Sequence, residues 1–305
     1  MAMSRHASPE DRDLELLAAT LEGTGDFRVL RRLAPLPTAI VPEGTKVRSG
    51  LFVDTETTGL DPDVDEIIEL AMVPFRYTLD GQIVQVSEPF EALRDPGRPL
   101  PEEIVRLTGI TDGMLAGKTI NALVVRELVA AADLIVAHNA GFDRRFLERL
   151  DPFFACKAWA CSLAEVDWKA EGFEGTKLAY LAMGAGFFYD RHRAANDCLA
   201  ALALLARTLP ISGRPAMSFL LERARRSGWH IRANDVPFAM KDILKKRGYR
   251  WSAGSDMMPK AWCIDVTYEA RDEEVSYLKR EIYNCERTIP CLELSAFNRF
   301  SDRAG

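Results

Sequence analysis

Two acidic residues one position apart, Asp54 and Glu56, close the apolar run Leu51-Phe52-Val53 just ahead of a Thr57-Thr58-Gly59 turn. In a strand, side chains two apart project to one face, so these carboxylates point together. At a buried strand end they repel each other unless a cation lies between them. The chemistry this favours is divalent-metal binding, although a surface acidic pair capping a turn gives the same local pattern. Groups of the same kind recur twice further on: Asp143 ends Leu134-Ile135-Val136-Ala137-His138-Asn139-Ala140-Gly141-Phe142-Asp143, and His192 precedes Asp197 in His192-Arg193-Ala194-Ala195-Asn196-Asp197. Acids in the first turn of a helix are favoured by its dipole, which explains Asp143 and Asp197 taken singly. Four carboxylates and a histidine together point beyond helix capping.

The elements that must carry these groups follow from periodicity and turn signals. The stretch Leu51–Leu60 predicts a buried strand ending in a turn, Ile67–Phe75 a second strand, and Asp80-Gly81 a hairpin turn into a third that starts at Ile83. Pro74 inside the second run suggests a sheet edge or a bulge. Short helices are expected at Glu102–Leu107 and Asn121–Ala131, and a central strand at Leu134–Asn139. A helix then starts near Asp143, a strand is expected at Lys157–Ser162, and helices at Lys177–Met183 and Cys198–Leu209. A meander followed by strand-helix units predicts an α/β fold, a mixed sheet flanked by helices. Upstream, Ser8 as N-cap and Pro9 as first residue open an amphipathic helix with Leu14, Leu17, Ala18 and Leu21 on one face. This lead-in, with Arg28, Arg31 and Arg32 after it, is expected to dock on the body.

Composition bounds the function. The 305 residues, 48% apolar and 28% charged, describe an ordinary globular chain long enough for one large and one smaller domain. A net charge of −6 argues against a coat of sequence-independent nucleic-acid binding over the whole surface. Six cysteines without a Cys-x-x-Cys pair, and four histidines, give no zinc spacing. The N-terminus lacks the apolar core of a signal peptide and no apolar run reaches membrane-spanning length, so a cytoplasmic protein is expected.

The ordered motifs Phe52–Leu60, Leu134–Asp143 and His192–Asp197 resemble those of the DEDDh 3′→5′ exonucleases, the group that includes the proofreading epsilon subunit of bacterial DNA polymerase III. Leu107-Thr108-Gly109-Ile110-Thr111 also resembles a substrate-side loop of that family, and the likeness covers about residues 48–210. The resemblance implies an RNase H-like fold with a mixed five-stranded sheet and two metal ions, Mg²⁺ or Mn²⁺. It implies that Asp54 touches both ions, Glu56 and Asp197 the nucleophile-side ion, and Asp143 the other. His192 is then the general base for the attacking water, imidazole being suited to proton transfer near neutral pH. Thr58, Leu60, His138 and Phe142 are implied around the terminal nucleotide. One departure is Cys161-Ser162, where many relatives carry Asp-Thr.

Beyond Ser212-Gly213-Arg214-Pro215, read as a linker, the balance of charge shifts. Residues 211–305 hold 17 Lys and Arg against 13 Asp and Glu, net +4, which leaves −10 for the rest. The division expected is a lead-in at 1–47, an exonuclease domain at 48–210 and a small α+β accessory domain at 211–305. The accessory domain is expected to hold a helix near Met217–Arg226, a strand at Ala261–Val266 paired with Tyr249–Trp251, and an amphipathic stretch at Glu273–Tyr283. Arg247, Tyr249, Arg250, Trp251 and Trp262 interleave cations and aromatics, as a single-strand stacking platform does and as the core of a small domain also does. The function expected is metal-dependent 3′→5′ hydrolysis at single-stranded or frayed 3′ ends, DNA favoured, releasing nucleoside 5′-monophosphates. An RNA 3′-trimming enzyme or oligoribonuclease is the alternative within the class. A non-catalytic nucleic-acid-binding module, or one that docks a polymerase or repair partner, is the alternative outside it.

Overall fold

The computed structural model describes residues 9–36, 38–254 and 258–304, so the expected N-cap Ser8 and the Pro37 of the lead-in lie outside the described residues. Helix α1 (Pro9–Gly23) and a two-residue strand β1 (Arg31–Arg32) precede the main sheet. Strands β2 (Val47–Thr57) and β3 (Ile67–Thr78) form its long antiparallel pair, followed by β4 (Ile83–Val86) and β5 (Phe90–Leu93). Helices α2 (Glu102–Thr108), α3 (Asp112–Leu115) and α4 (Ala122–Ala131) lead to β6 (Leu134–Ala137), α5 (Ala140–Leu150) and β7 (Trp159–Cys161). Then come α6 (Leu178–Gly184), β8 (Phe187–Phe188), α7 (Ala194–Ala206) and α8 (Ala216–Ala224).

The sheet order is β4-β3-β2-β6-β7, with β5 also paired to β3, giving six strands where five were expected. The sixth comes from a break in the outer strand: β4 and β5 lie end to end along one edge of β3, so the sheet remains five positions wide. Pro74 explains the break. It lies in an interior strand rather than at an edge, and its carbonyl accepts from Ser87 N at 2.9 Å. Its missing N–H faces that same side, where residues 87–89 separate β4 from β5 and no ladder bond is needed.

Alternation along β2 feeds two cores. Phe52, with Val73, Phe75 and Val136, packs under α7 and α8; Leu51 and Val53, with Met72 and Ile135, pack against α4, α5 and Trp159. Burial on both faces is what a sheet with parallel β2-β6-β7 pairing requires. Ala194, Ala195, Ala200 and Ala201 are buried in α7, and such small side chains let the helix lie close to the sheet.

The lead-in docks less than its pattern suggests. Leu14, Leu17 and Leu21 are exposed and only Ala18 of that face is buried. The segment is held instead by polar contacts and a short parallel pairing of β1 with β8. Arg31 pairs with Glu15, Arg32 with Asp190, and Arg28 donates to the carbonyls of Met183 and Gly184.

A second, antiparallel sheet is ordered β10-β11-β9-β12 and contains β9 (Gly228–Asn234), β10 (Arg250–Ser252), β11 (Ala261–Thr267) and β12 (Cys291–Leu294). Helices α9 (Lys241–Lys246) and α10 (Arg271–Tyr277) complete this unit, and β10 pairs with β11 as the sequence suggested. The packing places the divide later than residue 210. Met217, Leu220 and Leu221 of α8 belong to the first core, and residues 212–215 form a tight turn closed by Leu209 N donating to the Arg214 carbonyl. After β12 the chain returns to the first unit. Trp159 N donates to the Ala296 carbonyl across the sheet edge, and the fully buried Arg144 donates to the carbonyls of Phe297 and Arg299, both at 2.6 Å. Among the described residues no helix is long and apolar enough to cross a membrane.

Candidate active site

Strand β2 delivers Asp54 and Glu56 to the face covered by α7, because both share the parity of Phe52. Asp197 in the first turn of α7 meets them there: one carboxylate oxygen from each of Asp54, Glu56 and Asp197 lies within 4.8 Å of the others. Asp143, in the first turn of α5, approaches from the other core. Its Oδ1 accepts from Thr55 N at 3.0 Å and from Thr55 Oγ1 at 2.9 Å, so the residue between the paired acids holds a third acid in place. Gly59 lets the chain turn away behind them, since a Cβ there would collide with the Asp65 carboxylate.

Such a cluster is electrostatically unfavourable alone. Burial, then the charges of Asp143, Asp197 and Glu56, hold the Asp54 carboxyl well above the usual carboxylate range. Glu56 is pushed up to about 8 by burial and by Asp197, against the pull of Arg193. Burial raises Asp143 to about 7 despite the Thr55 hydrogen bonds, and raises Asp197 despite Tyr189 and His192. Among the described residues no Lys or Arg forms an ion pair with any of the four; the guanidinium nearby, Arg193, is engaged by Glu69. Converging hard oxygens with no cation among them fit a divalent ion of the Mg²⁺ or Mn²⁺ kind.

Both acid-bearing helices begin with a strained residue. Asn139 before α5 and His192 before α7 have φ of 77° and 61°, left-handed values that non-glycine residues rarely adopt. In that conformation His192 N donates to Asp197 Oδ2 at 2.9 Å, while its ring nitrogens make no hydrogen bond among the described residues. Tyr189 donates its hydroxyl to Asp197 Oδ1 at 2.8 Å, and burial together with Asp197 raises its pKa. Glu69, the cross-strand partner of Glu56, is buried and accepts from Ala194 N and Arg193 Nε, both at 3.0 Å, fixing the start of α7. Thr55, Glu69 and Tyr189 were not singled out from sequence. Glu69 had a signal, a lone acid inside the apolar run Ile67–Phe75; the other two had none.

The remaining sequence candidates divide. Thr58 Oγ1 is engaged in its own loop, donating to Asp65 Oδ1 and accepting from Glu66 N and Arg98 Nη2. His138 is held at both ring nitrogens, by Ser162 Oγ at 2.8 Å and by the Thr176 carbonyl at 2.9 Å, and burial lowers its pKa to about 4. Phe142 packs on Phe146 with ring centroids 5.0 Å apart, and Leu60 is 81% exposed beside the site. In the second unit, Tyr249 and Trp262 are buried in its core, and Arg247 and Tyr249 both bind Glu274, so these three are not free to stack on bases. Arg250 and Trp251 stay exposed.

A central strand that ends in paired carboxylates, in a mixed sheet with helices on both faces, defines the RNase H-like nuclease architecture. The RNase_T family model, described as Exonuclease, matches residues 51–205, half of the chain, and the chain belongs to that family. It is similar to the PolC-type DNA polymerase III of Thermotoga petrophila, 37% identical over 131 residues that make up 42% of this chain and 8% of that protein. It is also similar to a DNA polymerase III subunit epsilon-like protein of Rhodobacter capsulatus, 34% identical over 187 residues, 57% of this chain and 26% of that one. The chain thus spans a small part of these relatives. Among solved structures it shares its fold with E. coli Exonuclease I in complex with a dA16 oligonucleotide, with TM-score 0.50 and 16% identity, covering 76% of this chain and 67% of that one.

Proposed function

We propose that this exonuclease removes nucleoside 5′-monophosphates from single-stranded or frayed 3′ ends of DNA. The observation that carries the reading is the meeting of Asp54, Glu56 and Asp197 oxygens within 4.8 Å, with no cation of the protein among them. Asp54, Glu56, Asp143 and Asp197 would hold two divalent ions, which when bound stabilise charge on the attacking and leaving oxygens of an in-line displacement. The protein's own part is positioning and proton transfer. Thr55 orients Asp143, Tyr189 and the His192 amide orient Asp197, and Glu69 fixes the start of the helix that carries it. His192, with free ring nitrogens on a partly exposed loop, takes the proton from the attacking water. Leu60 and Phe142 would border the terminal nucleotide.

DNA is favoured over RNA by the names of the relatives, two of them DNA polymerase III proteins, and by the oligonucleotide bound to the structural neighbour. Association with a polymerase or repair partner, and a cytoplasmic site of action, rest on those relatives as well. The test is digestion of matched 5′-labelled DNA and RNA oligonucleotides with Mg²⁺ or Mn²⁺, beside Asp54→Asn. Stepwise shortening from the 3′ end, lost in the variant and with a chelator, is expected. Shortening by the variant at the wild-type rate overturns the site, and faster digestion of the RNA overturns the substrate.

A further inference from the structure

The small domain carries a row of aromatics and cations that its own packing does not absorb. Phe238, just before α9, is 80% exposed, and Lys241 Nζ lies 4.0 Å from its ring centroid. Lys245 follows Lys241 by one helical turn and so shares its face. Its Nζ lies 5.9 Å from the ring of Trp262, which in turn meets Trp251 edge-on with centroids 5.4 Å apart. Trp251 is 55% exposed and sits on β10, the outermost strand of its sheet. These contacts link one continuous row: Phe238, Lys241, Lys245, Trp262, Trp251.

Charge identifies the occupant. Lys245, Lys246 and Arg250 are exposed, and among the described residues none of these, nor Lys241, pairs with a carboxylate. Elsewhere in the same domain Arg247, Arg271, Lys279, Arg280 and Arg287 do have acidic partners. Asp242 is the one acid on α9. Unpaired cations beside open aromatic faces suit a flexible polyanion with stackable rings, which is single-stranded nucleic acid.

We infer that the exposed face formed by Phe238, Lys241, Lys245, Lys246 and Trp251 is a second binding surface for single-stranded DNA, holding the strand upstream of the 3′ end under hydrolysis. This rests on the proposed nuclease reading of the first domain. The set differs from the one the sequence pattern marks: Arg247, Tyr249 and Trp262 serve the fold, while Phe238 and the α9 lysines face outward.

The full chain, in chelator, is titrated with fluorescent dT30, rU30 and dT3, and hydrolysis of dT3 is measured separately with Mg²⁺. Phe238→Ala and Trp251→Ala are each expected to weaken dT30 binding about five- to a hundredfold, the range for loss of one base stack. Lys245→Glu should lower the slope of log affinity against log salt by roughly 0.7 for each phosphate left without its cation, a readout that a packing defect does not move. Hydrolysis of dT3, which offers almost no upstream strand to hold, should be unchanged in all three. Unchanged dT30 affinity overturns the surface and leaves the face to a protein partner; equal losses on dT3 overturn it as well. Tighter binding of rU30 overturns the assignment to DNA. Absence of hydrolysis with the expected binding losses supports the surface while removing the nuclease reading.

Discussion

The acids of β2 and the acid at the heart of the small domain are opposites. Buried Glu274 accepts from Arg247 Nη2 at 2.8 Å and from the Tyr249 hydroxyl at 2.7 Å, so folding supplies its countercharge. Other buried acids are treated alike: Asp151 pairs with Arg126, Glu165 with Arg299, and Glu69 with Arg193. Among the described residues Asp54, Glu56 and Asp197 form no ion pair with Lys or Arg, and burial raises their proton affinities, with the neighbouring carboxylates adding to it at Asp54 and Glu56. Glu274, Asp151, Glu165 and Glu69 are thus each neutralised by an arginine of the protein. It leaves one group uncompensated, which is the signature of a site whose positive charge comes from outside.

The widest separation between the two regions should come from matched amide substitutions. Asp54→Asn removes one charge from a repelling group, so in chelator the melting temperature should stay level or rise. Activity should fall by three orders of magnitude or more, roughly 4 kcal/mol of transition-state stabilisation. Glu274→Gln should do the reverse, with loss of about 2–3 kcal/mol of stability in a denaturant titration because Arg247 and Tyr249 lose a charged acceptor. Activity per folded molecule should be retained. A strongly destabilised Asp54→Asn, or an inactive but stable Glu274→Gln, would break the contrast. Divalent ions supply a third reading: Mg²⁺ or Mn²⁺ should raise the melting temperature of the wild type and of Glu274→Gln, and much less that of Asp54→Asn.

Glu69 lies between the two behaviours and sharpens the comparison. It is paired with Arg193 like a structural acid, yet its register partner is Glu56 and its second bond fixes the N–H of Ala194 at the start of α7. Glu69→Gln keeps the shape and one acceptor but releases Arg193. Activity should fall about tenfold, roughly 1.4 kcal/mol, through kcat rather than KM. Single-turnover kinetics at saturating substrate checks this; an unchanged rate constant would make Glu69 purely a helix anchor.

What was legible in the sequence follows the same divide. Asp54 and Glu56 stand out because charged residues at the end of an apolar run contradict their surroundings, whereas Asp143, His192 and Asp197 stand out only as ordered motifs taken together with that pair. The buried strand at Leu51-Phe52-Val53 is readable as an apolar run, but which of the three feeds which core is not, since that depends on the helices packed on each face. Tyr189 is not readable either, since its importance is a single bond to Asp197 formed only after folding. Residues 212–215 read as a linker because composition cannot tell one from a turn that closes a packed corner, as it does here. Cations and aromatics between 247 and 262 are ambiguous for a physical reason: Tyr249, just ahead of β10, is buried against Glu274, whereas Trp251 on the edge strand stays exposed, and only the folded packing separates the two.

The smallest expected effect tests a titrating group far from the carboxylates. Burial lowers the pKa of His230, but the hydrogen bond of its Nδ1 with Asp265 Oδ1 and the contact with Cys263 outweigh burial and lift it to about 9. A base raised from 6.5 contributes stability that is fully present below pH 6.5 and is lost as pH rises through about 9. Asp265 is 64% exposed, so solvent screening keeps the contribution within about 1 kcal/mol. Denaturation of the wild type in chelator should show a shallow fall in stability between these limits. Asp265→Asn should flatten it, leaving a less stable protein at pH 6 and an equal one at pH 9.5. If both proteins lose stability in parallel over that window, the charge on His230 is not what couples the small domain to pH, and its pair with Asp265 joins the screened surface contacts.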